Sequence, residues 1–378
     1  MAKSRIVIAG YFGFGNLGDE VLLHVVLGWL KQFSNVAPCV LSGNPEQTRQ
    51  QFGVAAVMRT NLASLVCTLW GAKALVFGGG GILQDKTSRR SLFYYLSLIR
   101  LARLFKVPVL MIGQGLGPLN GPSQTRTAEA LRQVHYVGVR DQKSLDMLRG
   151  WRISNIFLGA DLVFSLTPPE RSVIDTHGPL LGLALVPPPP AHYDTILKRL
   201  TKAVQSVKAE HGLTPIFLAS SPQDLQFGMA LSQRINSLTV LPINQDTPAH
   251  HLTLFSEFNV IWGSRLHALI LATMVGVPFV GLGYDPKVSQ FVKRINEHLV
   301  QPMPCWPPQT VNDRELVETT GVLLKGFHNF GQDLRQAAKI ERQAANAALT
   351  DAGHQLTRLL GLRPDAADSK LKEKLSKR

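Results

Sequence analysis

The sequence is short of cysteine and of long apolar runs, and each shortage excludes a class of protein. Its three cysteines, Cys39, Cys67 and Cys305, are far apart and form no C-x-x-C pair. We therefore expect neither a disulfide framework nor a metal site, and a reducing cytoplasm as the compartment. The apolar run RIVIAG is too short for a signal peptide, and no stretch approaches the roughly 20 apolar residues that span a bilayer.

Acidic residues are also scarce: 26 Asp and Glu stand against 40 Lys and Arg, for a net charge of +14. This balance favours anionic partners, namely nucleic acid, anionic lipid or phosphorylated substrates. The alternative is a surface that is merely basic. With 378 residues, 45% of them hydrophobic, the chain is predicted to be folded and long enough for two domains.

Eleven short apolar runs alternate with segments of helical period, a pattern typical of βαβ units with buried parallel sheets. Prolines and polar residues from Ser165 to Pro179 predict an interdomain linker. We predict an α/β fold with two Rossmann-like domains facing across a cleft. The predicted ranges are an N-terminal Rossmann-like domain at 1–167, a C-terminal one at 178–307, a helical segment at 308–362 and a basic tail at 363–378.

The first predicted strand leads into G-x-G-x-x-G at Gly13, Gly15 and Gly18. An NAD site also needs an acidic residue after the second strand, where this sequence has VLSGN, so a dehydrogenase ranks last. Asp19 and Glu20 follow the last glycine instead. The helix dipole would stabilise Asp19 there by about 0.3–1 kcal/mol, but the glycines let a substrate approach, which favours Asp19 as a general base.

Further glycine-rich stretches follow the strand KALVFGG and the next strand. Gly78 to Gly81 is predicted to be a loop whose free N–H groups suit a phosphate or a sugar. Gln84 and Asp85 come next and are placed to bind sugar hydroxyls, although Asp85 could equally cap the next helix. Gln114 lies in GQGLGPL, a second loop of this kind.

The stretch GSRLHAL carries the most chemistry. Ser264 is the predicted N-cap, so Arg265 and His267 fall in the first helical turn. Helix N-termini disfavour cations, which predicts that an anion completes the site. His267 can exchange a proton near neutral pH, and the alternative is a structural histidine.

Two more cations follow strands, Arg140 in VRDQKS and Lys287 in GYDPKV. With Arg265 they would clamp a small, highly charged molecule. The alternatives are surface ion pairs of Arg140 with Asp141 and of Lys287 with Asp285.

The segment Lys86–Lys106 has six basic and no acidic residues, interleaved with aromatic and aliphatic ones. It fits a helix lying on an anionic membrane, and equally a packed helix of the first domain.

Together these stretches resemble the polysaccharide pyruvyl transferase family, particularly its CsaB-type branch. The matching segments run from Gly10 to about Lys287: GYFGFGNLGDE, GGGGILQD, GQGLGPL, VRDQKS, GADLVFSL and SRLHALILATMVGVPFVGLGYDPKV. The order and spacing of these segments make the resemblance strong.

The resemblance implies a GT-B-like fold and transfer of a pyruvyl group from phosphoenolpyruvate to two hydroxyls of one sugar, forming a cyclic ketal and releasing phosphate. For the CsaB-type branch it implies a lipid-linked acceptor containing N-acetylmannosamine, a cell-wall precursor whose polymer anchors S-layer proteins. It implies His267 as acid and Asp19 as base, with no cofactor beyond the donor. It implies Arg140, Arg265 and Lys287 as ligands of the donor. The glycine-rich stretches add further predicted substrate contacts: Gly15, Asn16, Gly79, Gly80, Gln84, Asp85 and Gln114.

One departure from the family pattern concerns the acceptor. The second domain opens with LLGLALVPPPP, in which Pro187–Pro190 stands where a polar or basic residue is common in the family.

The first alternative function is a GT-B glycosyltransferase that uses a nucleotide sugar and a lipid-linked acceptor. The other is a nucleic-acid-binding module, against which the sequence shows no RNP-type motif, zinc finger or recognition helix.

Overall fold

A computed structural model describes residues 3–86, 88–169, 178–243, 247–307, 310 and 312–361. These residues form two compact units. One unit comprises residues 3–14, 19–165 and 341–361, and the other comprises residues 15–18 and the described residues between 166 and 340. The predicted tail at 363–378 and residues 170–177 of the predicted linker lie outside the described residues.

The first unit is built on a parallel sheet. Its strands are β1 (Ser4–Ala9), β2 (Val36–Ser42), β3 (Ala55–Met58), β4 (Ala74–Leu83), β5 (Val109–Leu116), β6 (Tyr136–Val139) and β7 (Ile156–Leu158). They pair in the order β3-β2-β1-β4-β5-β6-β7. From β1 the chain adds strands on one side, β2 and β3, and from β4 it adds strands on the other side, so β1 and β4 flank the switch point of the sheet. Open α/β sheets bind ligands at the carboxyl ends of the strands beside such a switch point.

Helices cover this sheet. They are α1 (Leu17–Leu30), α2 (Pro45–Phe52), α3 (Leu62–Leu69), α4 (Arg89–Leu104), α5 (Gly121–Leu131) and α6 (Gln142–Gly150). Five of them begin at a side chain that accepts a backbone N–H of the first turn: Asn44, Asn61, Ser88, Asn120 and Asp141. These caps fix where each helix starts after the preceding strand.

The second unit has a parallel six-stranded sheet. Its strands are β8 (Leu180–Ala184), β9 (Thr214–Ala219), β10 (Thr239–Pro242), β11 (Val260–Gly263), β12 (Phe279–Leu282) and β13 (Cys305–Trp306). Their order is β10-β9-β8-β11-β12-β13. The helices are α7 (Tyr193–His211), α8 (Pro222–Ser232), α9 (Pro248–Ser256), α10 (Leu266–Val275), α11 (Pro286–Asn296), α12 (Asp313–Lys325) and α13 (Phe327–Leu360).

The last part of α13 packs in the first unit. The indole Nε1 of Trp29 donates a hydrogen bond to the carbonyl of Leu349 at 2.9 Å. A Cβ added to Gly159 would lie 2.6 Å from the Cβ of Ala348, so the helix approaches this backbone closely. No helix in the described part of the chain combines the length and the apolar character needed to cross a membrane.

All eleven predicted strands are present, and the predicted α/β class with two parallel sheets is confirmed. Prediction missed β7 and β13, which have three and two residues. It was also wrong about two loops. Gly78–Gly81 lies inside β4, and Gly113–Gly115 lies inside β5. Glycines at positive φ bend these strands, and the β4–β5 register shifts between Gly80 and Leu83, so glycine here marks a bulge rather than the strand end.

Candidate active site

The loop between β1 and α1 is shaped by Gly13 and Gly15, whose φ values are 77° and 66°. Few residues other than glycine adopt this conformation. The buried carboxylate of Glu20 accepts the N–H of Gly13 at 2.8 Å. Asn16 precedes α1, and its Oδ1 accepts the N–H of Gly18 at 3.2 Å, as an N-cap does. The second of the two acidic residues after the glycines, Glu20, therefore holds the loop.

Gly18 is where the glycine loop meets His267. A Cβ added to Gly18 would lie 1.7 Å from Nδ1 of His267 and 2.4 Å from its Cγ. The loop is also tied down by Leu17, whose N–H donates to the carbonyl of Ser220 at 3.2 Å. Only glycine lets the imidazole lie this close to the backbone, so the third glycine of the motif serves His267 rather than a dinucleotide.

Asp19 lies in the first turn of α1, over the glycines of β4. A Cβ added to Gly80 would lie 3.5 Å from its Oδ1. Cβ atoms on Gly78 and Gly79 would approach side chains of α1 to 3.0 and 3.1 Å. The glycine run therefore lets α1 pack closely on β4, and its predicted contact with a phosphate or sugar stays a prediction.

The two residues after β4 have different environments. Gln84 is half-buried. Both carboxylate oxygens of Asp85 accept the N–H of Asn120, at 3.3 and 3.1 Å. The alternative that Asp85 caps the next helix is wrong, because Ser88 caps α4. Asp85 instead holds the segment that leads into α5.

Gln114 is fully buried within β5. Its Nε2 donates to the carbonyls of Phe77 and Ile112, both at 3.3 Å. These bonds join β4 and β5 where both strands bend. They give Gln114 a role inside the sheet, and its predicted substrate contact remains untested.

Arg140 follows β6 and is buried, with its guanidinium Nη1 2.7 Å from Oδ2 of Asp161. The expected alternative partner, Asp141, instead caps α6 by accepting the N–H of Ser144. A Cβ added to Gly115 would lie 3.0 Å from Nε and Nη2 of Arg140. The guanidinium therefore packs closely against the glycine backbone of β5 and is held there by a buried carboxylate.

Helix α10 carries His267 and is buried almost all round. Its N-cap is Arg265, so the prediction that Ser264 caps the helix was wrong. The hydroxyl of Ser264 accepts the N–H of Val186 at 2.8 Å, so it holds the segment after β8 instead of capping α10. His267 is half-buried at the start of this helix, so the rigid core of the second unit fixes its backbone.

Arg265 forms a paired ion bridge. Its Nε donates to Oδ2 of Asp224 at 3.0 Å, its Nη2 donates to Oδ1 of the same carboxylate, and Nη2 also lies 3.0 Å from the Ser221 hydroxyl. Asp224 is fully buried. The Asp224 carboxylate of α8 therefore balances the positive charge of Arg265 at the start of α10, for which the sequence alone predicted no partner in the chain.

Lys287 stands in the first turn of α11 and is half-exposed. Asp285 caps the helix by accepting the N–H of Lys287 at 3.0 Å, and its other oxygen lies 3.8 Å from Nζ of Lys287. The ion pair that was the alternative for Lys287 is therefore present, although at this distance and exposure it is weak.

A small hollow lies beyond the carboxyl ends of β8 and β12. Its lining combines apolar side chains with the charged groups of Arg199 and Asp313. Tyr284 also lines it, and burial raises the pKa of this phenol. Val186, which directly precedes the Pro187–Pro190 run, is among its lining residues.

Three carboxylates shape the site although none was predicted to be a site residue: Glu20, Asp161 and Asp224. Asp161 had a signal, because it lies in the segment GADLVFSL. Asp224 had none, since it pairs with a residue 41 positions away. Among the described residues, no group of three or more His, Cys, Asp or Glu is arranged to hold a metal ion.

The fold is GT-B-like. The chain is similar to the S. aureus MnaA–UDP structure, with 11% identity, TM-score 0.62, and coverage of 94% of this chain and 97% of that one. It is similar to UDP-GlcNAc 2-epimerase from Neisseria meningitidis bound to UDP-GlcNAc, with 11% identity, TM-score 0.61, and coverage of 95% of this chain and 100% of that one. It is also similar to MurG of Acinetobacter baumannii, with 14% identity, TM-score 0.51, and coverage of 93% of this chain and 99% of that one. At these identities the likeness shows the fold alone.

The sequence model of the polysaccharide pyruvyl transferase family matches residues 16–286, which is more than two thirds of the chain. The chain therefore belongs to the polysaccharide pyruvyl transferase family, and the predicted class of enzyme is confirmed. No curated protein matches it significantly in sequence.

Proposed function

We propose that the protein transfers the pyruvyl group of phosphoenolpyruvate to two hydroxyls of one sugar in a cell-wall polysaccharide precursor. The observation that carries this proposal is the seat of His267 against Gly18 in the glycine loop, one residue before Asp19. This contact brings an acid–base side chain to the loop that bears the carboxylate proposed as base.

The proposed chemistry assigns one proton transfer to each group. His267 gives a proton to the methylene carbon C3 of phosphoenolpyruvate, which makes C2 electrophilic. Asp19 accepts the proton of the first sugar hydroxyl as its oxygen bonds to C2. The C2–O bond to phosphate then breaks, and the second hydroxyl closes the ketal. Of the two hydroxyl protons, one balances the new methyl group and the other leaves with phosphate.

Fixed positive charge is needed for the donor's carboxylate and phosphate. We assign this task to Arg140, Arg265 and Lys287. The buried carboxylates of Asp161 and Asp224 hold the two guanidinium groups in place, so that an anion would meet both groups in fixed orientations. An anion bound beside His267 would also favour its protonated form.

The acceptor is proposed to be lipid-linked and to contain N-acetylmannosamine, as in the CsaB-type branch, which would place the product in S-layer anchoring. Because Pro187–Pro190 replaces a polar position common in the family, the sugar must be held partly by other residues. The enzyme is proposed to work in the cytoplasm, with no nucleic acid as partner and no cofactor beyond its donor.

The test is incubation with phosphoenolpyruvate and a soluble pyrophosphate-linked disaccharide containing N-acetylmannosamine, followed by mass spectrometry and phosphate assay. A ketal product with equimolar phosphate supports the proposal. Nucleotide release from a nucleotide sugar under the same conditions would favour the GT-B glycosyltransferase instead.

Replacement of His267 gives the residue-level test. We expect His267→Ala to abolish turnover with its fold intact by circular dichroism. The matched control is His354→Ala, an exposed histidine of α13, which should keep full activity. Near wild-type turnover in His267→Ala would contradict the assignment of the acid.

We also propose peripheral contact with anionic membrane through α4, on the inner face of the plasma membrane. One face of α4 packs in the core, while Arg89, Phe93, Arg100 and Leu104 form an exposed stripe. Basic and apolar side chains on one stripe suit an anionic lipid surface. Vesicle flotation should show binding that high salt releases, and no binding at low salt would end the idea.

A further inference from the structure

Two aromatic rings are exposed together on the loop after β1. Tyr11 and Phe14 stack at a centroid distance of 4.3 Å and an interplanar angle of 14°. They are 40% and 42% exposed, so both rings of the pair are partly open to solvent. The structural role of the loop does not explain this exposure, because Gly13 and Glu20 already hold its backbone.

Phe14, one ring of the pair, packs against the backbone after β2 and near the side chain of Arg59. A Cβ added to Gly43 would lie 2.7 Å from Cζ of Phe14, so the ring rests directly on the backbone after β2. The guanidinium of Arg59 lies 5.3 Å from the Phe14 ring centroid and 4.2 Å from that of Tyr94. Its Nη1 donates to the carbonyl of Gly10 at 3.3 Å.

Arg59 is itself unusual. It is buried, and its guanidinium lies over the rings of Tyr94 and Tyr95. It also donates hydrogen bonds to the carbonyl of Gly10 and to the Tyr95 hydroxyl. We read Arg59 as a positioning residue, because its contacts hold Phe14 and the start of the glycine loop.

We propose that the Tyr11–Phe14 pair is the platform on which the sugar ring of the acceptor stacks. The pair lies at the carboxyl end of β1, beside the switch point where open α/β sheets bind ligands. The C–H face of a pyranose ring is apolar and matches the negative face of an aromatic ring. This inference rests on the proposed function, since it names how that enzyme holds its saccharide.

The test compares kinetics with a short-chain alkyl pyrophosphate disaccharide containing N-acetylmannosamine as acceptor. We expect Tyr11→Ala and Phe14→Ala each to raise the acceptor KM about ten-fold, leaving the KM for phosphoenolpyruvate unchanged. Phe14→Tyr keeps the ring and should restore the wild-type KM. The matched control is Trp70→Ala, an exposed aromatic at the end of α3, which should change neither value.

Two outcomes overturn the platform: an acceptor KM for Phe14→Ala equal to that of the control, or a rise confined to the KM for phosphoenolpyruvate. If the wild-type protein turns over no phosphoenolpyruvate, the proposed function fails, and the platform is judged by saturation-transfer NMR with the same disaccharide alone. Transfer to the sugar C–H protons that is lost in Phe14→Ala supports it. Absence of transfer in the wild-type protein refutes it.

Discussion

Exchanging Gly18 for alanine tests directly whether the glycine loop positions His267. The added Cβ would lie 1.7 Å from Nδ1, 2.4 Å from Cγ and 2.5 Å from Cε1 of the imidazole. All three distances are far inside van der Waals contact. Because Cγ is among the crowded atoms, rotating the ring about its own axis does not relieve the clash. Either the whole side chain changes rotamer or the loop moves away.

The two consequences differ in size. Overpacking of this kind costs about 1–3 kcal/mol of stability, which a folded protein of this length tolerates. A displacement of about 1 Å of a catalytic group costs on the order of 100-fold in rate, and a general acid contributes about 10²–10⁴-fold. We therefore expect Gly18→Ala to lower kcat about 100-fold or more and to lower stability only modestly.

The assay is phosphate release with phosphoenolpyruvate and acceptor, read together with thermal unfolding. Gly28→Ala is the matched control, since it lies on the exposed face of the same helix and its added Cβ meets nothing within 4 Å. Alanine inside a helix is more favourable than glycine by about 0.5–1 kcal/mol. The control should keep its kcat and gain slightly in stability.

A double variant separates loss of His267 positioning from general damage. If Gly18→Ala acts by crowding the imidazole, it should lower the thermal midpoint of the wild-type protein but not that of His267→Ala, in which the imidazole is absent. A Gly18→Ala variant with kcat equal to that of the Gly28→Ala control would refute the reasoning. An equal fall in thermal midpoint in both backgrounds would show that the added methyl group crowds another part of the structure.

Three further expectations come from single contacts. Arg265→Ala leaves the buried carboxylate of Asp224 without its ion pair and should cost about 3–5 kcal/mol in denaturant unfolding; a loss under about 1 kcal/mol would mean that water or another donor replaces it. Burial raises the pKa of the Cys39 thiol, so at pH 8 iodoacetamide should label exposed Cys67 first by peptide mass spectrometry, and equal rates would contradict the described burial. Gly159→Val should lower the thermal midpoint because its side chain would enter helix α13, and an unchanged midpoint would show that the helix shifts freely.

Sequence patterns predicted the strands well because buried parallel strands are continuous apolar runs bounded by turns. They failed at β7 and β13, which are too short for any period to appear. They also failed at the glycine runs of β4 and β5. A strand that bends through glycines at positive φ keeps its pairing, whereas a pattern read along the sequence takes the first glycine as the end of the strand.

The candidate site shows the same limit. Local rules predicted that Asp19 and His267 start helices, because that depends on neighbours in the chain. The partners of Arg140 and Arg265 are 21 and 41 residues away, and only the fold brings them together. The prediction of Ser264 as N-cap failed for the same reason. Its hydroxyl accepts the N–H of Val186, which follows β8 and is 78 residues away in sequence.

These ion pairs change how the predicted cations could bind an anion. The sequence suggests binding by excess charge, but Arg140 and Arg265 are each matched by a buried aspartate, so their net charge is small. A guanidinium that a carboxylate fixes on one edge has a set orientation, so it can place a bound anion precisely even when its net charge is small. Affinity for a phospho-acid would then depend on geometry more than on field strength. It should accordingly weaken less with added salt than binding by exposed lysines would.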